Sequence, residues 1–363
     1  MDEQVIPGTR VERIPVVVLG ATGVVGQRLV AALADHPWFS LAGLAASERS
    51  AGARYGDVVR WSVETPPPSH VLDMSLAAPA PELFPGARIA FSALPASDAL
   101  RIEPLFARAG ALVSSNASAF RMDSDIPLIV PEINAEHLAA LDVQRRKRRW
   151  SGAIITNPNC STIGLTLALA PLRQFDIKRV LVTTLQAASG AGYPGVPSLD
   201  LIDNVIPYIA GEEEKIESET RKILGGWSDE AFQPVEQADL RLSAHCTRVP
   251  VRDGHLETVS IELGHACEPE ALARAWQGFT SEPQRLGLPT APAQPVVYLP
   301  GEDRPQPIRD RMLGSGMTVS VGRLRPCDIL QYKFVCLSHN TIRGAAGAAL
   351  LNAELAYARG TIR

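Results

Sequence analysis

The feature that most restricts the fold lies near the beginning of the chain. A short apolar, β-branched run, Ile14 to Leu19, passes directly into Gly20-Ala21-Thr22-Gly23-Val24-Val25-Gly26 and then into the apolar stretch Gln27 to Leu33. The first segment reads as a buried strand and the last as a helix. The G-x-x-G-x-x-G turn between them is a variant of the dinucleotide-binding fingerprint. Its glycines permit a tight turn, close approach of backbone to a pyrophosphate and seating of the helix on the strand. Amides at the helix start then face the anion. A merely structural turn is the plain alternative, but the position directly after the first strand favours a site. Gly20, Thr22, Gly23, Val24, Val25 and Gly26 are therefore expected to bind a cofactor.

Strand and helix patterns continue to alternate. Leu41 to Ala46, Ala87 to Ala93 and Ala111 to Ser115 read as strands, with a helix near 97–109. Such alternation implies a mostly parallel sheet. Residues 1–13 read as a loose polar arm, and Trp61 to Pro81, broken by three prolines at 66–68, as a surface excursion. NAD-binding folds usually place an acid at the end of the second strand. Here Ser47 stands there, followed by Glu48-Arg49-Ser50. A serine with an arginine close by suits a 2′-phosphate better, so Ser47, Arg49 and Ser50 point to NADP. Ser92, at a strand end, is a further cofactor candidate.

The texture changes after about residue 156. Val180 to Gln186 reads as a strand, 187–198 as a Gly/Ser/Pro-rich loop and 212–224 as a charged helix. Ala244 to Val251 and Leu256 to Leu263 flank Asp253-Gly254, which signals a hairpin. A Pro-rich loop follows at 283–309, then strands at 318–324 and 331–337. The closing Ala-rich helix, 341–358, carries an apolar face (Ile342, Ala346, Ala349, Leu350) suited to packing on the first domain. With 363 residues, two domains are the default. The expected class is α/β: a Rossmann-type domain from 1–156 plus 340–363, and a second α+β domain at 157–339.

Composition excludes several function classes. A net charge of −4 gives no general attraction to nucleic acid or anionic membranes. No apolar run is long enough to span a bilayer, and Met1-Asp2-Glu3-Gln4 lacks a secretory pattern, so a cytoplasmic location is expected. The basic run Arg145 to Arg149 follows an expected helix at 135–144, whose carbonyl end cations complement. In an acidic chain that role outweighs a nucleic-acid patch.

The five cysteines are widely spaced and include no C-x-x-C pair, which argues against disulfides and zinc; no metal is expected. Cys160 stands apart by its surroundings. It precedes an apolar helix, Ile163 to Ala170, and lies in Asn157-Pro158-Asn159-Cys160-Ser161-Thr162. A thiol at a helix start is expected to have a lowered pKa, and free amides there would stabilise an oxyanion. A buried helix-cap cysteine is the bland alternative. A thiolate beside a nicotinamide implies attack on an activated acyl group, a thioester, hydride reduction to a thiohemiacetal and release of an aldehyde. Of seven histidines, His255 at the Asp253-Gly254 turn best suits the acid/base role. A two-residue turn would put Arg248 and His255 on one face of the hairpin, roughly 13 Å apart at about 3.3 Å per residue. A shared site then requires a bend, for which Pro250 is placed.

With these features the chain resembles the aspartate-semialdehyde dehydrogenases of the archaeal and fungal branch. The likeness runs through GATGVVG (20–26), SNASAFR (115–121), NPNCSTIG (157–164), LQAASGAGYPG (185–195), GEEEKIESET (211–220), RVPVRDGH (248–255) and HNTIRGAAG (339–347). The resemblance implies NADPH-dependent reductive dephosphorylation of L-4-aspartyl phosphate to L-aspartate 4-semialdehyde, toward lysine or diaminopimelate, methionine and threonine. It implies Cys160 as nucleophile, His255 as acid/base and Gln186 orienting substrate or water. Arg248 would bind the substrate carboxylate, Glu212 the amine, Lys215 the phosphate, and Asn116 would line that pocket. By spacing alone, Glu212 and Lys215 are an i,i+3 pair on a solvated helix. Ser189, Gly190 and Asn340 match contacts near the nicotinamide. The resemblance further implies a homodimer or homotetramer whose second domains pair through a sheet. Three alternatives stand beside it: a malonyl-CoA reductase on the same scaffold, an N-acetyl-glutamyl-phosphate reductase, and a non-catalytic NADP-binding sensor.

Overall fold

A computed structural model describes residues 13–362; the expected polar arm, apart from Arg13, lies outside the described residues. Ile14–Leu19 forms strand β1 with five of its six residues buried, as an apolar run flanked on both faces requires. Five more strands join it: β2 (Phe39–Ala45), β3 (Leu76–Ala77), β4 (Ile89–Ser92), β5 (Leu112–Ser115) and β6 (Ala153–Thr156). All pair in parallel in the order β3-β2-β1-β4-β5-β6. This is the doubly wound dinucleotide-binding order, in which the progression of the strands reverses between β1 and β4. The helices α1 (Val24–Leu33), α2 (Ala96–Arg108) and α3 (Ala140–Arg148) make crossovers. The expected excursion at 61–81 is not wholly a surface loop, because β3 extends the sheet within it. A four-residue strand, β6, also stands where no strand was expected.

Helix α4 (Cys160–Leu169) leads to a second, mixed sheet built from β7 (Ile177–Gln186), β10 (Arg241–Arg248), β11 (His255–Leu263), β12 (Val296–Leu299), β13 (Val319–Pro326) and β14 (Tyr332–Ser338). The intervening β8 (Gly226–Ser228) and β9 (Ala231–Gln233) form a separate two-stranded ribbon. Along β7, Val180, Val182, Thr184 and Gln186 are buried while Lys178, Arg179 and Leu181 face outward. The inner face packs under α4, α5 (Glu212–Leu224) and α6 (Pro269–Gln277), with Trp276 donating from its indole to the Ala168 carbonyl. Neither α6 nor β12 was expected; β12 lies inside the Pro-rich segment read as a loop. Short strands bounded by prolines carry too little periodicity to be told from loops.

The expected hairpin around Asp253-Gly254 does not form. The sheet order is β10-β7-β11-β14-β13-β12, so β7 separates the two strands. It pairs in parallel with β10 and antiparallel with β11. Residues 249–254 instead wrap the end of β7, with Val249 donating to the Gln186 carbonyl and Ala188 to that of Val251. Gly254 turns this path with a φ of +102°, a conformation glycine adopts without strain.

The last helix, α7 (Gly347–Ala358), returns to the first sheet as its apolar face predicts. Ala346, Ala349 and Leu350 pack with Val16, Val18 and Leu29, while Leu351 and Leu355 meet Leu112 and Ile155. A π-helical turn, Ile342–Ala346, precedes it. There Arg343 makes a bidentate contact to Glu132, at 2.7 and 2.5 Å, with both side chains inaccessible to solvent. Removing one partner leaves an uncompensated buried charge. Glu132→Ala should therefore lower stability by about 3–5 kcal/mol. Asp98→Ala, which breaks an exposed helical pair with Arg101, should cost under about 1 kcal/mol. Denaturant unfolding compares the two, and equal losses would contradict the assignment.

Candidate active site

Asn159 caps α4, its side-chain oxygen accepting from the amides of Ser161 (2.9 Å) and Thr162 (3.3 Å). Cys160 is thereby set at the first helical position, its sulfur on a cavity of about 480 Å³. The cap also takes two of the amides expected to serve an oxyanion. Asn159 is itself anchored, its Nδ2 donating to Glu212 (2.7 Å) and its backbone amide to Glu219 (2.7 Å). Glu212 and Glu219 lie seven residues apart on α5, two turns along one face.

The remaining groups converge at the end of β7. Gln186 is in register with Arg248 of β10, and Leu185 with Leu256 of β11, so Arg248 and His255 flank the end of one strand. No bend in a hairpin is needed to bring them together. His255 Nε2 lies 3.2 Å from Cys160 Sγ, and its Nδ1 accepts from the Ala187 amide at 3.0 Å. Arg248 donates to the Ala187 carbonyl at 2.8 Å. Gln186 reaches Glu212 at 3.3 Å, and Lys215 reaches the other oxygen of Glu212 at 3.0 Å. Burial would raise the Glu212 carboxyl, but Lys215, Asn159 and Gln186 together hold it below the usual carboxylate range. The Glu212–Lys215 pair is thus part of the cavity wall, not a solvated helix face.

Asn116, Ser189, Gly190 and Asn340 also line the cavity. Asn340 ties two loops together, accepting from the Gly254 amide (2.8 Å) and donating to the Ser189 hydroxyl (2.7 Å). Asn116 accepts from Asn157 at 3.1 Å. Two cavity residues were not singled out from sequence, although each lies in a quoted motif. Arg121 donates to Glu219 and to the Asn116 carbonyl and bears electrostatically on the Cys160 thiol. Gly344, in the π-helical turn, packs so closely that a Cβ there would stand 2.6 Å from that of Cys160. A fixed SNASAFR-type cation and a glycine that no side chain can replace are signals readable only once the partner surface is known.

The expected lowering of the Cys160 pKa is not found. Desolvation is the largest influence and the Glu212 carboxylate adds to it; against the pull of Arg121 and Arg248, the thiol is pushed up to about 12. The helix-start field is too weak to offset a sulfur enclosed by protein and facing an acid. His255 is likewise driven down to about 3 by burial, with Arg248 and His339 adding to the shift, so it does not sit near neutrality. Thiol and imidazole are both neutral at rest.

The glycine turn fits a dinucleotide. Gly20 has φ +80°, and a Cβ at Gly26 would lie 2.1 Å from the Gly20 carbonyl oxygen, so the turn is closed to side chains. Gly23 precedes α1, and Gly23, Val24 and Val25 face the same cavity as Cys160. Thr22 is tied by its carbonyl to Gln27, which also holds the 60–62 segment. Ser47, Arg49 and Ser50 form a short turn after β2, with Ser47 and Arg49 exposed, outside this cavity. The Ser92 side chain differs from the expectation: it is fully buried and faces Glu103 within the first sheet's packing, and Ser92 is not among the residues that line the cavity. Three cations of the basic run are paired within the chain, Arg145 on Asp142, Arg146 on Glu230 and Arg148 on Asp123 and Asp125. Among the described residues, no helix is long and apolar enough to cross a membrane.

Comparison with known proteins shows the family and the fold. Residues 15–141 match the semialdehyde dehydrogenase NAD binding domain and residues 169–343 the semialdehyde dehydrogenase dimerisation domain. The aspartate-semialdehyde dehydrogenase of Archaeoglobus fulgidus is 48% identical over 343 residues, covering 94% of this chain and 98% of that one. That of Cryptococcus neoformans is 46% identical over 360 residues, covering 97% and 99%. The crystal structure of the Candida albicans aspartate-semialdehyde dehydrogenase with NADP superposes with a TM-score of 0.89 at 41% identity, covering 96% of this chain and 99% of that one.

Two outcomes follow from the site. Alkylation of Cys160 by iodoacetamide should be slow at neutral pH and rise about tenfold per pH unit through pH 9, since the thiolate fraction grows at that rate below a raised pKa. A plateau near neutrality would refute the raised pKa. A Cβ at Gly190 would meet Arg248 at 2.7 Å and the His255 ring at 3.0 Å. Gly190→Ala should thus cost about a hundredfold in kcat/KM by displacing both groups, with the melting temperature little changed. Undiminished turnover would show that the loop yields freely.

Proposed function

The chain belongs to the aspartate-semialdehyde dehydrogenase family, and on that premise we propose that it reduces L-4-aspartyl phosphate with NADPH, releasing L-aspartate 4-semialdehyde and phosphate. The observation that carries the reading is the 3.2 Å contact of Cys160 with His255, made beside Arg248 and Glu212. Cys160 is the nucleophile that takes the acyl group as a thioester, and His255 is the group through which its charge and protons are managed. Arg248 offers a fork for the substrate α-carboxylate and the ionised Glu212 faces its amine. Lys215 and Arg121 supply cations for the phosphoryl group, with Asn116 beside them. Gln186 orients the substrate or water from the end of β7.

NADPH, when bound, supplies the hydride. Gly20 to Gly26 would hold its pyrophosphate, Ser47, Arg49 and Ser50 the 2′-phosphate, and Ser189, Gly190 and Asn340 the nicotinamide end. The residues suit a phosphorylated aminoacyl substrate better than the alternatives. A CoA thioester has no need of Lys215 and Arg121 beside the thiol, and an N-acylated amine has no need of an ionised Glu212. A sensor without chemistry has no need of the thiol–imidazole contact. The step lies on the route to lysine or diaminopimelate, methionine and threonine, and a cytoplasmic location suits it. We assign 1–156 with 340–363 to cofactor binding and 157–339 to catalysis and dimerisation. The outward face of the second sheet, where Leu181 is 48% exposed, would pair subunits into a homodimer or homotetramer.

The test is the reverse reaction with aspartate semialdehyde, phosphate and NADP, followed by NADPH absorbance. Wild type should turn over, and Cys160→Ala should lose at least about a thousandfold. Inertness with this aldehyde combined with reduction of malonyl-CoA would reject the substrate. A fully active Cys160→Ala would reject the covalent route.

A further inference from the structure

A second cavity, of about 740 Å³, shares the π-helical turn with the active site. Gly344 and Ala345 of that turn line the thiol cavity, whereas Ile342 and Ala346 line this one. Its volume is that of a small-molecule site. Helix α1, the 63–65 segment, the Pro-rich stretch 289–293 and residues 311–317 form the rest of its wall. Most of the wall is apolar, but Arg28, Glu64 and Arg311 also stand in it. The three charges lie near one another, since each acts on the buried His339 beside the turn. Arg28 is buried and binds Glu64 through both terminal nitrogens, at 2.9 and 3.3 Å, while its Nε has no hydrogen-bond partner. Burial alone would raise the Glu64 carboxyl, but Arg28 holds it below the usual carboxylate range, so it is ionised at neutral pH. Arg311 donates to the Asp253 carbonyl at 3.2 Å and, among the described residues, pairs with no carboxylate.

Charge decides among the occupants such a wall could take. A neutral apolar molecule would strip water from Arg311 and give its guanidinium nothing in return. A cation would meet Arg28 and Arg311, and a dianion would meet Glu64. A zwitterion with an apolar body satisfies all three groups and the wall around them. We propose that this cavity binds an α-amino acid with a branched aliphatic side chain, its carboxylate on Arg311, its ammonium on Glu64 and its side chain against Ala31, Met317 and Leu350. The guanidinium of Arg311 offers the planar fork that a carboxylate accepts. The site borders two segments that also build the active site. One is the π-helical turn, which presses Gly344 against Cys160. The other is Asp253-Gly254, held by Arg311 on one side and by Asn340 on the other. The proposal goes beyond the substrate reading above and does not rest on it.

The test is calorimetric titration of the full chain with L-leucine, for which a Kd of about 1 mM or below is expected. The analogues 4-methylpentanoate and 3-methylbutylamine each lack one of its charges. Each should bind at least about tenfold more weakly, as loss of a charge-assisted hydrogen bond requires. Arg311→Met should weaken L-leucine by a similar factor. Ala31→Phe, on the half-buried side of α1, should fill the apolar end and abolish binding with the melting temperature little changed. Hydrogen exchange should slow at 311–317 and 342–347 when L-leucine is added. Protein alkylated at Cys160 should bind it as well as free protein does. Loss of binding on alkylation would place the amino acid in the active site and overturn the proposal. So would equal affinity for all three compounds, or binding of none of them. Dissociation of Ala31→Phe into smaller species in sedimentation would assign the cavity to a second copy of the chain instead. None of these measurements uses substrate or cofactor, so their failure leaves the reductase reading standing, and an enzyme inert with aspartate semialdehyde leaves this one.

Discussion

The site depends on the placement of β7 between a parallel and an antiparallel neighbour. Its last residue, Gln186, is the point at which β10 ends and beside which β11 begins. Arg248 at the end of one neighbour and His255 at the start of the other therefore lie at the same edge of the sheet. Backbone hydrogen bonds maintain this edge: Ala187 donates to His255 and accepts from Arg248 through its two main-chain groups. A single residue thus fixes the spacing of the imidazole and the guanidinium. Main-chain groups at the end of a strand hold position more rigidly than long side chains on a loop.

The start of α4 meets this edge from above, held by a buried polar network. Asn159 caps the helix while bonding to Glu212 and Glu219, and Glu219 pairs with Arg121. Through these contacts α5 and the 116–121 segment of the first domain are tied to the thiol. The same enclosure explains the electrostatics. Burial raises the thiol and lowers the imidazole, and the nearby carboxylate outweighs the helix field. The resting pair is neutral, which keeps the thiol unreactive near neutral pH.

The return of the chain to its first sheet completes the cavity. The π-helical turn at 342–346 carries Gly344 against Cys160, and the helix after it is buried against β1 and β5. One continuous segment therefore touches the nucleophile and the nucleotide-binding core. Insertion of an extra residue in a helical turn is a recurrent device at functional sites, since it redirects one face without ending the helix. Here it allows backbone to approach the thiol where a side chain would collide.

By itself the sequence determined whatever local pattern controls. The strand–glycine–helix unit, the alternation of the first domain, the charged helix at 212–224 and the apolar closing helix each follow from periodicity and turn chemistry within a short window. Cys160 could be singled out because helix starts and polar caps are also local. The family resemblance supplied Arg248, Glu212 and Lys215 as partners, roles that spacing alone would have assigned to solvent. Only the tertiary structure decided the rest. The chain does bend at Asp253-Gly254, but whether two strands pair with each other or with a third between them depends on sheet order, which no local window contains. Ser92 has the right position on a strand and the wrong burial. The thiol pKa likewise depends on desolvation and on a carboxylate 52 residues away in sequence, sums over distant atoms that outweigh the helix start on which the local expectation rested.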